Sequence, residues 1–172
     1  MVTLVKQNYE ENIKLYNIIE EKLRKDLDIS DSITHVGSTA IPNMCGKNII
    51  DILIGVEDIT QMEEFTNILV NKGFTPSMKS KTDVYQFLAS KNTETGSGDI
   101  HIHLVIKNTD RYNEFIILKE YLLANKEEAQ NYSDFKRVIV EKGIIERKEY
   151  KAVKSEYVTN LIGRAKEWYS KK

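Results

Sequence analysis

Apolar and polar positions alternate with two different periods along this chain. Between residues 8 and 27, Tyr9, Ile13, Tyr16, Leu23 and Leu27 recur at helical spacing with Glu and Lys between them, which predicts an amphipathic helix. The period then shortens. "SITHVGS" at 32–38 reads as a short strand running into a Gly-Ser turn, and Pro42 keeps the following loop from becoming helix. "NIIDILIGV" at 48–56 is dense in β-branched residues, as suits a strand buried on at least one face. A second helix is expected from about Thr60 to Lys72, with Thr60 and Glu63 at capping-box spacing and Gly73 at its stop. "DVYQFLA" at 83–89 and "DIHIHLVIK" at 99–107 predict two strands forming a hairpin across the turn Gly96-Ser97-Gly98. From about Asp110 the spacing is helical again, broken near Ala124-Asn125 and near Lys142-Gly143. Trp168 and Tyr169 are expected to anchor the last helix on the core.

Helix, strand, strand, helix, two strands and an all-helical last third predict an α+β fold: a mixed β-sheet flanked by helices, with helices from about 110 to 172 packed onto it. No linker-like stretch interrupts the chain, so residues 1–172 read as one domain.

Strand periodicity places the candidate chemistry. Along 48–56, Ile50, Ile52, Ile54 and Val56 share one face, and Asp51, Leu53 and Gly55 share the other. Along 99–107, Ile100, Ile102, Leu104 and Ile106 oppose Asp99, His101, His103 and Val105. If these strands are neighbours, Asp51, His101 and His103 meet on one face. A carboxylate in an apolar strand is costly without a cation, a metal or several donors. One carboxylate with one or two imidazoles is a ligand set for Mg²⁺, Mn²⁺ or Zn²⁺. His35 precedes the Gly-Ser turn and is a further pocket candidate. Ser38 offers a hydroxyl at a tight turn, and Lys47 a positive charge, both suited to phosphate. Plainer readings stand beside these: edge-strand histidines, ordinary turn chemistry at Ser38 and a solvated Lys47.

Composition narrows the classes. The 172 residues carry 25 basic and 26 acidic side chains, a formal net charge of -1, which argues against general nucleic-acid binding. Cys45 is the sole cysteine, so an intrachain disulfide and a cysteine-rich zinc site are excluded. With no apolar signal core or membrane-length apolar run, a reducing cytoplasm is the expected setting. No P-loop and no Gly-x-Ser-x-Gly elbow is present.

Gly-Ser followed by Asp within an apolar strand resembles the signature of the nucleotidyltransferase superfamily. More specifically, "HVGSTAIPNMCGKNIIDILI", "HIHLV" and the tail segments "LKEYLLANKEEAQNYSDFKRVI" and "YKAVKSEYVTNLIGRAKEWY" resemble the GrpB (glutamate-rich protein B) family, from Tyr9 to Tyr169. The resemblance implies a nucleotidyltransferase-like fold in which Gly37 and Ser38 hold phosphates and Asp51 is the first metal-binding carboxylate. It adds His35, Thr39, Lys47, His101 and His103 as motif positions, with Lys136, Arg137, Tyr150 and especially Lys154 closing over the pocket. It implies a divalent metal (Mg²⁺ or Mn²⁺, with Zn²⁺ the variant) and a small nucleotide or phosphorylated ligand. The superfamily's second carboxylate would fall at Leu53, and His101, His103 or Asp99 would have to replace the third. Three readings therefore stay open: metal-dependent transfer of a nucleotidyl group to an acceptor, a non-catalytic nucleotide- or phosphometabolite-binding module, and a metal-dependent His/Asp hydrolase.

Overall fold

The computed structural model describes residues 1–90 and 100–172. In chain order its elements are β1 (Val5–Lys6), α1 (Tyr9–Leu27), β2 (Ile33–Val36), β3 (Cys45–Gly46), β4 (Ile50–Val56), α2 (Ile59–Asn71), β5 (Phe74–Pro76), β6 (Tyr85–Ser90), β7 (Ile100–Ile106), α3 (Asp110–Ala124), α4 (Lys126–Glu141) and α5 (Arg147–Tyr169). Every predicted helix and strand is present. The expected Gly96-Ser97-Gly98 turn and Asp99 lie outside the described residues, but the strands on either side, β6 and β7, do pair antiparallel.

Local chemistry sets the helix ends. The Asn8 side chain accepts the Glu11 amide at the head of α1, and Glu10 and Glu11 complement the positive end of the helix dipole. At α2 the expected Thr60–Glu63 box does not form. The cap is Asp58, whose carboxylate accepts the Gln61 amide, because the helix begins one residue before Thr60. Gly73, at φ +92°, ends α2 as expected.

Five strands form the main sheet in the order β2-β4-β7-β6-β5. Only the central pair β4–β7 is parallel; the others are antiparallel. The short strands β1 and β3 pair separately. One sheet face is covered by α1 and α2: Tyr16, Ile19, Leu23 and Leu27, with Met62, Phe65 and Leu69, pack on Ile50, Ile52, Ile54, Val56, Ile102 and Leu104. On the other face, Val36, Leu53 and Val105 lie under Tyr112, Phe115 and Ile116 of α3.

The helical tail is held to the segment between the Gly-Ser turn and β4. Ile41 and Met44 enter a core with Tyr121, Leu122, Tyr132, Leu161 and Ala165. The Cys45 amide donates to Ser133 Oγ at 2.9 Å. Trp168 packs on Tyr121 at 5.6 Å, whereas Tyr169 stays 42% exposed and anchors little. No described helix is long and apolar enough to cross a membrane.

Candidate functional site

Asp51 is the second residue of β4, and register decides its neighbours. It pairs with Val36 across β2 and with His101 across β7, while Leu53 pairs with His103. His101 Nδ1 lies 3.1 Å and His103 Nε2 3.4 Å from the same carboxylate oxygen, Asp51 Oδ1. Burial pushes the Asp51 carboxyl up, but the hydrogen bonds it accepts from His101 and His103 hold it well below the usual carboxylate range. An ionised carboxylate only accepts, so both contacting ring nitrogens carry hydrogen. His103 Nδ1 is then the acceptor for the Tyr85 hydroxyl at 2.9 Å.

Aromatic rings wall this triad. Phe87, opposite His103 in the sheet, stands edge-on to the His101 ring at 4.9 Å, and Phe115 of α3 lies 4.9 Å from His103. Arg111 spans Tyr85 and Phe115, 5.1 and 4.9 Å from their ring centres. The α3 side is closed, since Leu53 and Val105 are fully buried there. Access is from the other end, where the side chains of Asp51 and His101 keep 24% and 25% of their exposure.

Gly37 has two reasons to be glycine. Its φ of +74° is one that L-side chains rarely adopt, and a Cβ there would stand 2.4 Å from Asp51 Oδ2. The bare backbone of the Gly-Ser turn thus lies directly against the carboxylate. Ser38 is half-buried, with its hydroxyl packed against the bare α-carbon of Gly46.

A basic cluster stands on the same side as Asp51. Lys47 Nζ lies 5.4 Å from the Tyr150 ring centre. Burial lowers the Lys47 pKa, and Lys154, Arg147 and Lys151 press it further down while Asp51 opposes them. Lys136, only 3% exposed, donates to the Cys45 carbonyl and sits 4.7 Å from the Tyr132 ring centre. Burial pushes it down to about 8; Lys154 and Arg137 add to the shift, and the fields of Cys45 and Asp51 oppose it. Among the described residues, Lys47, Lys136, Arg147, Lys151 and Lys154 form no ion pair, whereas Arg24, Lys25, Arg164 and Lys166 elsewhere on the helices do.

His35 and Thr39 do not join this pocket. His35 pairs with Ile52 and therefore faces the α1 side, stacked on Tyr16 with ring centres 4.5 Å apart. Thr39, fully buried, spends its one hydroxyl hydrogen on the Ile49 carbonyl. Its 2.9 Å contact with His35 Nε2 therefore requires Nε2–H as donor, which leaves His35 Nδ1 a buried acceptor with no partner. Period-two alternation places His35 opposite Val36, and the side Val36 takes depends on which face α3 covers.

Burial, with Lys119 adding and Asp51 opposing, pushes His35 down to about 4 from 6.5. Between those values the unfolded chain takes a proton that the folded chain refuses. Stability is then full above pH 6.5 and falls as the pH drops toward 4, by roughly 3 kcal/mol at 1.36 kcal/mol per unit. Urea melts across this window should show a flatter pH profile for His35→Phe, which keeps the stack on Tyr16. A profile as steep as wild type would assign the loss to other groups.

Asp51, His101 and His103 converge on one carboxylate oxygen, Asp51 Oδ1. Without a metal, both contacting imidazole nitrogens spend their hydrogens on that oxygen, and among the described residues no group of three His, Cys, Asp or Glu is set out as a metal cage. A second metal would meet the buried Leu53.

Tyr85, Phe87 and Arg111 escape a reading that looks only for ligands, although the alternation Tyr85, Phe87, Ala89 already places one face of β6 beside β7. Arg147 and Lys151 could be found only by folding α5 back over the turn.

Comparison with known proteins matches residues 2–164 to the family model described as GrpB protein. The glutamate-rich protein GrpB of Alkalihalophilus pseudofirmus is 31% identical over 132 residues, 76% of each chain. YqkA of Bacillus subtilis is 28% identical over 157 residues, 87% of this chain and 43% of that one. Among solved structures, the conserved protein GrpB from Enterococcus faecalis superposes with a TM-score of 0.83 at 19% identity, covering 97% of this chain and 99% of that one. The Cid1 poly(U) polymerase with MgGTP bound superposes with a TM-score of 0.58 at 16% identity, covering 81% of this chain and 45% of that one. The chain thus spans less than half of that polymerase. The likeness establishes a nucleotidyltransferase-like fold: a mixed sheet flanked by helices, with a helical C-terminal part.

Proposed function

The chain belongs to the GrpB family, and on that footing we propose that it binds a nucleoside triphosphate and transfers the nucleotidyl group to an acceptor. The observation that carries this reading is the unpaired basic cluster of Lys47, Arg147, Lys151 and Lys154 facing Asp51. Like charges crowded together cost free energy that a polyanion recovers, and a triphosphate supplies that charge. Lys47 and Lys154 then neutralise phosphate oxygens, the Gly37-Ser38 turn brings bare backbone to them, and Asp51 orients the two imidazoles. His35 and Thr39 brace the turn from behind. A small-molecule partner and a cytoplasmic setting go with this reading.

Leu53 favours a second reading, a nucleotide- or phosphometabolite-binding module without transfer chemistry. It replaces a ligand position with a buried apolar side chain. Hydrolysis by a metal-bound His/Asp set has less support, because it leaves the basic cluster around Lys47 without a role.

Thermal melts of wild type and of the double variant Lys47→Ala, Lys154→Ala test the site. Titrations use nucleoside triphosphates and unphosphorylated nucleosides, each with and without Mg²⁺, Mn²⁺ or Zn²⁺. Triphosphate at a hundred times its Kd should stabilise wild type by about 2.7 kcal/mol, with the effect shrinking as salt rises. The double variant should lose most of it. An undiminished shift in that variant moves the site elsewhere. Diphosphate release in the presence of an acceptor separates transfer from mere binding.

A further inference from the structure

His101 and His103 share Asp51 but are used differently. His103 has both ring nitrogens engaged, Nδ1 with Tyr85 and Nε2 with Asp51, and its side chain is 14% exposed between Phe87 and Phe115. His101 commits only Nδ1, to Asp51 at 3.1 Å. Its Nε2 has no hydrogen-bond partner among the described residues, and its ring sits at the open end of the site. In the neutral ring Nδ1 carries the hydrogen, and the Nε2 lone pair is free. A carboxylate fixing one imidazole nitrogen while the other faces the open site is the arrangement that makes histidine a nucleophile.

Resting on the nucleotidyl-transfer reading, we propose that His101 Nε2 is a nucleophile that accepts the nucleotidyl group covalently from a nucleoside triphosphate before it passes to the acceptor. The Nε2 lone pair attacks the α-phosphorus. An N–P bond forms, the bond from that phosphorus to the bridging oxygen breaks, and its electron pair leaves with diphosphate. The ring becomes a phosphorylated imidazolium whose Nδ1–H stays on Asp51, so its positive charge is paired. In the second half, an acceptor hydroxyl or water attacks the same phosphorus, the N–P bond breaks, Nε2 regains its lone pair, and the hydroxyl proton passes to solvent. Neutral imidazole needs no deprotonation before the first attack. The step therefore does not call for the second carboxylate that Leu53 replaces. Lys47 and the α5 basic residues provide the field in which diphosphate departs.

The first half-reaction needs no acceptor, which makes it testable now. The full chain is incubated with each nucleoside triphosphate, radiolabelled on the α-phosphate, with and without divalent metal, then denatured and run on a gel. Nucleotide melts are recorded in parallel. The expected result is label on the protein, labile to acid and stable to alkali as a phosphoramidate is, with one diphosphate released per label. Peptide mapping of the wild-type adduct should place it on His101, which does not depend on any variant folding. His101→Gln should abolish the label yet keep the triphosphate-induced rise in Tm. Absence of label while triphosphate still raises Tm overturns the covalent step and leaves the binding reading standing. Absence of both overturns both. Label that resists acid, maps to a lysine or survives in His101→Gln also overturns it.

Discussion

Gly37→Ala should lower stability by about 3 kcal/mol and remove the nucleotide-induced rise in melting temperature. The backbone contribution is roughly 1–3 kcal/mol, because the residue sits at φ +74° with ψ near 180°, a region open essentially to glycine alone. The added methyl also meets Asp51 Oδ2 at 2.4 Å. Either the turn shifts or the carboxylate rotates off both imidazoles, and in each case the site loses the group that orients His101 and His103. Gly73→Ala is the control. It has φ +92° but open space where the methyl would go, so it carries only a backbone cost of about 1–2 kcal/mol. Urea denaturation of the two variants, with nucleotide melts beside them, separates strain from the clash. Equal losses in both, with nucleotide response intact at Gly37→Ala, would mean that Asp51 adapts and that the close approach is incidental.

Leu53→Asp should cost about 4 kcal/mol or more and should not create a metal-dependent activity. The position is where a second carboxylate would stand if this were a two-metal site. It is fully buried with Val36 and Val105 beneath Tyr112, Phe115 and Ile116. Removing the leucine forfeits the roughly 2–5 kcal/mol of a large-to-small core substitution, and a carboxylate buried between Val36 and Val105 loses its hydration as well. Leu53→Ala measures the first contribution alone, so the difference between the two denaturation curves reports the buried charge. Full stability of Leu53→Asp together with a new Mg²⁺ or Mn²⁺ requirement would instead identify Leu53 as a lost ligand in an otherwise intact catalytic frame.

The main elements were legible because their signals are local. Period-two alternation across 48–56 and 99–107 separates Asp51, His101 and His103 from the isoleucines, and the helical stripes name the faces that α1 and α2 bury. The two-residue strands β1 and β3 and the three-residue β5 were not legible. They exist only because tertiary neighbours bring their backbones together, and so few residues carry no periodicity. The cap of α2 was misplaced for a related reason. Asp58 and Thr60 both carry a capping oxygen, and where the chain leaves β4 selects between them.

His35 shows where local reading stops. Its position beside the Gly-Ser turn suggested the pocket, but β-pleating sends it to the opposite face, under Tyr16. Residue order alone settles which side chains share a strand face, where the glycine-dependent turn lies, and that β4 carries one carboxylate. These follow from backbone geometry and side-chain type. Long-range packing makes β4 and β7 parallel neighbours in a register setting Asp51 beside His101, seals Leu53 under α3, and brings Arg147, Lys151 and Lys154 of α5 back to face Lys47. Register and helix docking are set by summed packing across the whole core, so no short stretch of sequence carries them.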